Sequence, residues 1–312
     1  LVITNVTRQY QKPYLLNFTF SLRDGPDPAT SEPVVRPPSE LQVVCMEDGV
    51  PISSEAPLIL KTAASKQLKT IMVLDYSYSI YSTPGAIDSM EAAAQTLIGE
   101  EPPNAQFGII EFSADYLPPN FVTNSLTRPP NYFVSDKYIL GQSIAGIRTN
   151  YVKGNYAGSR CWDAIYMGLT NFGAFNTLTN ADERRYLVAM SDGNDESSQL
   201  NGMPGGAVPT LIAKAITNHV AIYCIGYGDD VNTPALQQLA TKTGGRFFLA
   251  TSAEDLSTQF QKILRELEGQ YDLRWATLKR YNIPSYPDNG FQPSFQVSYG
   301  GLTAAPVTPS VF

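Results

Sequence analysis

Gln67-Leu68-Lys69-Thr70-Ile71-Met72-Val73-Leu74-Asp75-Tyr76-Ser77-Tyr78-Ser79 decides the reading of the whole chain. Ile71 to Leu74 form an unbroken apolar run, the pattern of a strand buried on both faces of a parallel sheet. The run stops at Asp75, and Ser77 and Ser79 follow at alternate positions. A loop leaving the strand tip can therefore aim one carboxylate and two hydroxyls at a common point. Hard oxygen donors of this kind suit a small hard cation, although a plain turn uses the same residue types. The other strand tips must decide between the two.

Downstream, the grammar is strand and helix in alternation. Ile87, Met90, Ala94, Leu97 and Ile98 recur at helical spacing, and Phe107 to Phe112 reads as the next strand. A Pro- and Tyr-rich stretch from Tyr116 to Tyr138 leads into a short helix at Ile139 to Ile147. Helices are expected at Cys161–Phe172, Val208–Asn218, Thr233–Thr243 and Ala253–Glu268, and strands at Tyr186–Met190, Val220–Ile225 and Arg246–Leu249. The fold class is therefore α/β, a doubly wound and mostly parallel sheet whose ligand crevice lies at the carboxyl ends of its strands.

Both ends of the chain read differently. Leu16 to Leu22 alternates, and Leu41 to Ile52 reads as strand, Asp48-Gly49 turn, strand, with Leu58-Ile59-Leu60 closing the segment. Tyr271 to Ala276 and Ser294 to Tyr299 alternate again. Neither end alone can bury both faces of a sheet. The economical organisation is one sandwich-like all-β domain built from residues 1–66 and 270–312, with an α/β domain at 67–269 inserted; two separate end modules are the alternative. Asn5-Val6-Thr7 and Asn17-Phe18-Thr19 fit the N-glycosylation acceptor pattern.

The formal charge of −7, without a Lys/Arg cluster, argues against nucleic acid or an anionic membrane as partner. No apolar run reaches the length of a membrane span. A start at Leu1 rather than Met reads as a processed product or an excised part of something longer. Cys45, Cys161 and Cys224 are far apart, without the spacing of a zinc site. His219, the lone histidine, sits where a helix should end, so a nucleophilic triad lacks its usual base.

Two further tips carry oxygen donors. Ser191-Asp192-Gly193-Asn194-Asp195 puts a second Asp after a buried run, with Gly193 to turn the backbone. The loop Lys153 to Arg160 brings the hydroxyl of Ser159 to a helix start, where it can equally serve as a cap. Together with Asp75-x-Ser77-x-Ser79, Gly158-Ser159 ahead of Asp163-Ala164-Ile165, Ile225-Gly226-Tyr227-Gly228 and Gly244-Gly245-Arg246-Phe247-Phe248, these residues occur in the order of a family pattern. Over residues 67 to about 269 the chain resembles a von Willebrand factor A domain.

The resemblance implies a metal-ion-dependent adhesion site held by Asp75, Ser77, Ser79, Ser159 and Asp192. Tyr76, Tyr78, Asn194 and Asp195 would form the ligand-binding rim around it. Tyr78 stands where Gly is frequent in the family, and Ser159 replaces the usual Thr, keeping the hydroxyl and losing the stiffening methyl. The expected ion is Mg²⁺, with Mn²⁺ or Ca²⁺ as alternatives, and the expected partner a protein offering Glu or Asp. The function implied is a non-catalytic adhesion or protein-binding module, extracellular or on a cell surface. A cytosolic adaptor for an AAA-type ATPase is the alternative, and a metal-dependent hydrolase a third reading that lacks a base, a P-loop and a dinucleotide fingerprint. Asp163 and Asp195 read more simply as helix-end charges than as ligands.

Overall fold

The computed structural model describes residues 1–11, 15–26, 31–52, 58–62, 66–113, 116–117, 133–151, 158–175, 180, 182–195, 197–228, 230–277 and 292–308. Two compact units result, Lys66–Leu264 and the combined end segments Leu1–Ser65 and Arg265–Phe312. Residues 153–157, most of the Tyr116 to Tyr138 stretch and much of the gap after Ala276 lie outside the described residues.

The first end segment supplies β1 (Val2–Gln11), β2 (Leu15–Arg23), β3 (Gln42–Glu47), β4 (Val50–Pro51) and β5 (Leu58–Thr62). β3 and β4 join through Asp48-Gly49, both at positive φ (54° and 77°) as the tight hairpin turn requires.

The central unit contains β6 (Gln67–Asp75), α1 (Tyr78–Tyr81), α2 (Ala86–Glu100), β7 (Gln106–Phe112) and β8 (Tyr116–Leu117). It continues with α3 (Lys137–Tyr151), α4 (Cys161–Asn171), β9 (Glu183–Ser191), α5 (Ala207–Thr217), β10 (Val220–Tyr227), α6 (Thr233–Lys242) and β11 (Phe247–Ala250). α7 (Ala253–Glu268) runs across the boundary between the units. The sheet order is β11-β10-β9-β6-β7-β8, parallel except for β8 at its edge.

Ile71, Val73, Ile110, Leu187, Ala189, Ile222 and Cys224 face a core completed by α4, α5 and α6. Met72, Leu74, Ile109, Val188, Met190 and Ile225 alternate with them and are buried too, so both faces of the sheet are covered and the strands read as continuous apolar runs. The chain reverses its direction of sheet growth at β6: β7 adds on one side and β9 on the other. That switch point puts the tips of β6 and β9 side by side and opens a crevice above them.

The last segment adds β12 (Gln270–Ala276), β13 (Pro293–Tyr299) and β14 (Leu302–Thr303). Strands from both chain ends share two antiparallel sheets, β1-β2-β12-β5 and β14-β13-β3-β4. Leu16, Phe18, Phe20 and Leu22 of β2 point the same way and meet Trp275, Tyr271, Phe295 and Val297 in one cluster. Phe18 stacks on Trp275 at 4.5 Å and Phe20 tilts against Phe295 at 4.9 Å. The second glycosylation pattern is committed to this sheet: Asn17 Oδ1 accepts from Arg274 Nε (2.6 Å), and Thr19 Oγ1 donates to Asp272 (2.9 Å). All three cysteines are buried free thiols, and burial pushes the Cys45 thiol up to about 12.

Candidate functional site

At the tip of β6 the Asp75 carboxylate is fully buried. Its Oδ1 accepts the Ser77 N–H (2.8 Å) and its Oδ2 the Ser191 hydroxyl (2.6 Å). Burial pushes this carboxyl up to about 7, helped by the charge of Asp192 and opposed by the hydrogen bonds from Ser191 and Ser77. An anion in such a place gains from any positive charge brought to it.

Ser77 opens α1 without capping it, and its hydroxyl lies 3.1 Å from that of Ser79. Ser79 Oγ in turn donates to Asp192 Oδ2 (2.7 Å), across from the tip of β9. Asp192 is set by its own turn, with Oδ1 accepting the Asn194 N–H (2.9 Å). Gly193 makes that turn possible: its φ is 73°, and a Cβ there would stand 2.9 Å from Leu236. Asp75, Ser77, Ser79, Ser191 and Asp192 are thus one connected set drawn from two strand tips.

The expected third loop is next to them in the sheet, joined through the tip of β7: the Arg160 N–H donates to the Ser113 carbonyl (2.9 Å). Ser159 is buried, and its hydroxyl has no hydrogen-bond partner among the described residues. It does not cap α4, whose N-cap residue is Arg160. A buried hydroxyl without a partner costs free energy unless something else engages it.

The rim differs from expectation. Tyr78 is 65% exposed beside Ser77 and Ser79. Tyr76 is 1% exposed, its hydroxyl donating to Glu91 of α2 (3.0 Å), so it props the loop from beneath and offers no rim surface. Asn194 turns toward the loop after β10, donating through Nδ2 to the Asp230 carbonyl (2.6 Å). Asp195 turns to α4, its Oδ2 accepting the Trp162 N–H (2.8 Å). Ser191, the Asp75 partner, was not among the expected site residues; its place immediately before Asp192 at a buried strand tip is the signal that points to it.

Among the described residues no group of three or more His, Cys, Asp or Glu side chains is arranged to hold a metal, so an ion here must draw on hydroxyls. The donor set fits that demand: two carboxylates, the Ser77 and Ser79 hydroxyls, and the partnerless Ser159 hydroxyl, all hard oxygens. Among the same residues no helix is long and apolar enough to cross a membrane.

A family profile described as the von Willebrand factor type A domain matches residues 71–262. A search of curated proteins found no match. Among solved structures, the von Willebrand factor type A protein from Catenulispora acidiphila is similar with a TM-score of 0.53 and 11% identity, over 86% of this chain and 72% of that one. Proximal thread matrix protein 1 from the mussel byssus, solved with a zinc-occupied MIDAS motif, is similar with a TM-score of 0.51 and 15% identity, over 69% of this chain and 49% of its own. This chain therefore spans about half of that protein's length, and at such identities the likeness is one of fold. With the profile match covering more than half of its residues, the chain belongs to the von Willebrand factor type A domain family.

Proposed function

We propose that the chain is a metal-dependent adhesion or protein-binding module whose divalent-cation site is formed by Asp75, Ser77, Ser79, Ser159 and Asp192. The observation that carries this reading is the Ser159 hydroxyl, buried and without a hydrogen-bond partner among the described residues, on a loop that Arg160 ties to Ser113 just past β7, the strand paired with β6. A divalent cation bound there supplies a Lewis-acidic position that a carboxylate from outside can fill. Ser77 and Ser79 offer neutral oxygens, so the site's own charge does not saturate its ligand. Asp75, held by Ser77 and Ser191, is oriented before any ligand arrives. The exposed ring of Tyr78 flanks the position where an acidic side chain would enter.

The partner is accordingly a protein presenting Glu or Asp, and Mg²⁺ is the resident ion we favour. The zinc-occupied motif of the mussel protein supports a divalent cation at this place in the fold. We read the module as non-catalytic, because His219 lies at the amino end of β10, the far end of the sheet from Asp75, stacked on Phe175 at 4.1 Å. We further read the two antiparallel sheets as one sandwich-like domain interrupted in sequence by the α/β unit, and the setting as extracellular or cell-surface.

Isothermal titration with Mg²⁺ and Mn²⁺, followed by acidic peptides with and without chelator, tests the site. Saturable ion binding that Asp75→Ala abolishes, with peptide binding lost in chelator, is expected. Ion binding unaffected by Asp75→Ala would overturn the reading.

A further inference from the structure

α4 and the 3-10 turn Gln199–Gly202 both begin without a side-chain cap from their own N-cap residues, Arg160 and Ser198. Each is capped by a carboxylate from the other. Asp195, on the loop leading into the 3-10 turn, accepts the Trp162 N–H of α4 through Oδ2 (2.8 Å), and the Ser198 hydroxyl donates to the same oxygen (2.6 Å). Asp163, in the first turn of α4, accepts the Gln199 N–H at Oδ2 (2.9 Å) and the Leu200 N–H at Oδ1 (3.2 Å). Ser198 Oγ completes the exchange by accepting the Asp163 N–H (3.0 Å).

Further donors reach both acids, and they fill both oxygens of Asp195. Arg160 grips Asp163 Oδ2 through Nε and a terminal guanidinium nitrogen (3.1 and 2.6 Å), while the Ser198 N–H and Asn201 Nδ2 donate to Asp195 Oδ1 (both 2.9 Å). Charge-assisted bonds to helix N-termini are among the stronger ones available to a carboxylate.

This clasp lies between two loops that matter. One carries Ser159 and the other Asp192, and the Ser197 N–H donates to the Ser159 carbonyl (3.1 Å) within the clasp itself. Resting on the metal-site reading above, we propose that Asp163 and Asp195 are positioning residues that fix Ser159 relative to Asp192 by capping one another's helices. Neither acid touches the ion; each acts through the loop that its partner helix anchors. Groups that orient metal ligands in this way typically carry about ten- to a hundred-fold in affinity.

The test uses the full chain, Mn²⁺ as probe and three variants, Asp195→Asn, Asp163→Asn and the milder Ser198→Ala. Mn²⁺ affinity is read by electron paramagnetic resonance, and thermal stability is read separately in chelator. The expected result is a loss of Mn²⁺ affinity of about tenfold or more in the Asn variants, and a smaller loss in Ser198→Ala. Because the clasp acts through Ser159, Asp195→Asn should add little further loss once Ser159 is already Ala. Lower stability in chelator with unchanged Mn²⁺ affinity would overturn the proposal, as would full additivity with Ser159→Ala. Failure of the unmutated chain to bind Mn²⁺ would instead overturn the metal site itself, and the positioning role with it.

Discussion

Glu111 of β7 is only 1% exposed, and its Oε2 has no hydrogen-bond partner among the described residues. Burial pushes its carboxyl up to about 8, so near neutral pH the folded chain holds it largely protonated. The unfolded chain releases that proton near the ordinary value of 4.5. A raised folded value means the contribution to stability is complete below about 4.5 and is lost as pH rises through about 8. Glu111→Gln removes the titration while keeping the shape. Its melting temperature relative to the unmutated chain should climb across that window, by the equivalent of a few kcal/mol, and level off above it. Parallel pH profiles of the two proteins by calorimetry would count against this account.

At this scale the candidate cluster was partly legible. That Asp75, Ser77, Ser79 and Asp192 gather at strand tips could be read because a buried apolar run that ends in a polar residue marks such a tip. Tyr76 and Asp195 could not be placed, since whether a loop residue faces solvent or turns toward a helix depends on contacts with Glu91 and Trp162, which lie far from them in sequence.

Among elements, the turn from α6 into β11 brings its backbone closest to a neighbour of all the described glycines. A Cβ on Gly245 would fall 2.0 Å from the Ile222 carbonyl oxygen of β10, and main chain cannot move aside as a flexible side chain does. Thr243 fastens the same turn, its Oγ1 accepting the Ile222 N–H (3.1 Å). Gly245→Ala should therefore cost about 3 kcal/mol or more in urea denaturation. A loss below about 1 kcal/mol would show that the turn yields.

Most elements of the α/β unit were readable because doubly buried strands are plain apolar runs and helices repeat at their own period. The exceptions have physical causes. β9 starts at Glu183, before its apolar part, and continues through Arg184 and Arg185, which are buried despite their charge. Arg185 is satisfied by Glu183 (3.0 Å) and by the carbonyls of Gly173 and Asn218 (3.1 Å each). Nothing local announces such pairing. α1 and β8 are too short to display any period.

For the molecule as a whole, the alternation in both end segments pointed to strands but could not say which pair. β12 lies between β2 and β5, so one of the two central strands of that sheet comes from the far end of the chain. Arg274 meets Asn17 across 257 residues of sequence. The consequence concerns timing. During synthesis β2 emerges long before its neighbour exists, while the α/β unit between them is completed from shorter-range contacts, and pairing across so long a closure is intrinsically slow. The two tryptophans give each unit its own reporter, Trp162 in α4 and Trp275 in β12. In refolding followed on Trp162→Phe and Trp275→Phe separately, the fluorescence of Trp275 should reach its native value after that of Trp162. Simultaneous recovery would overturn that order, and earlier recovery of Trp275 would mean that the ends find each other first, making the chain's two extremities its folding nucleus.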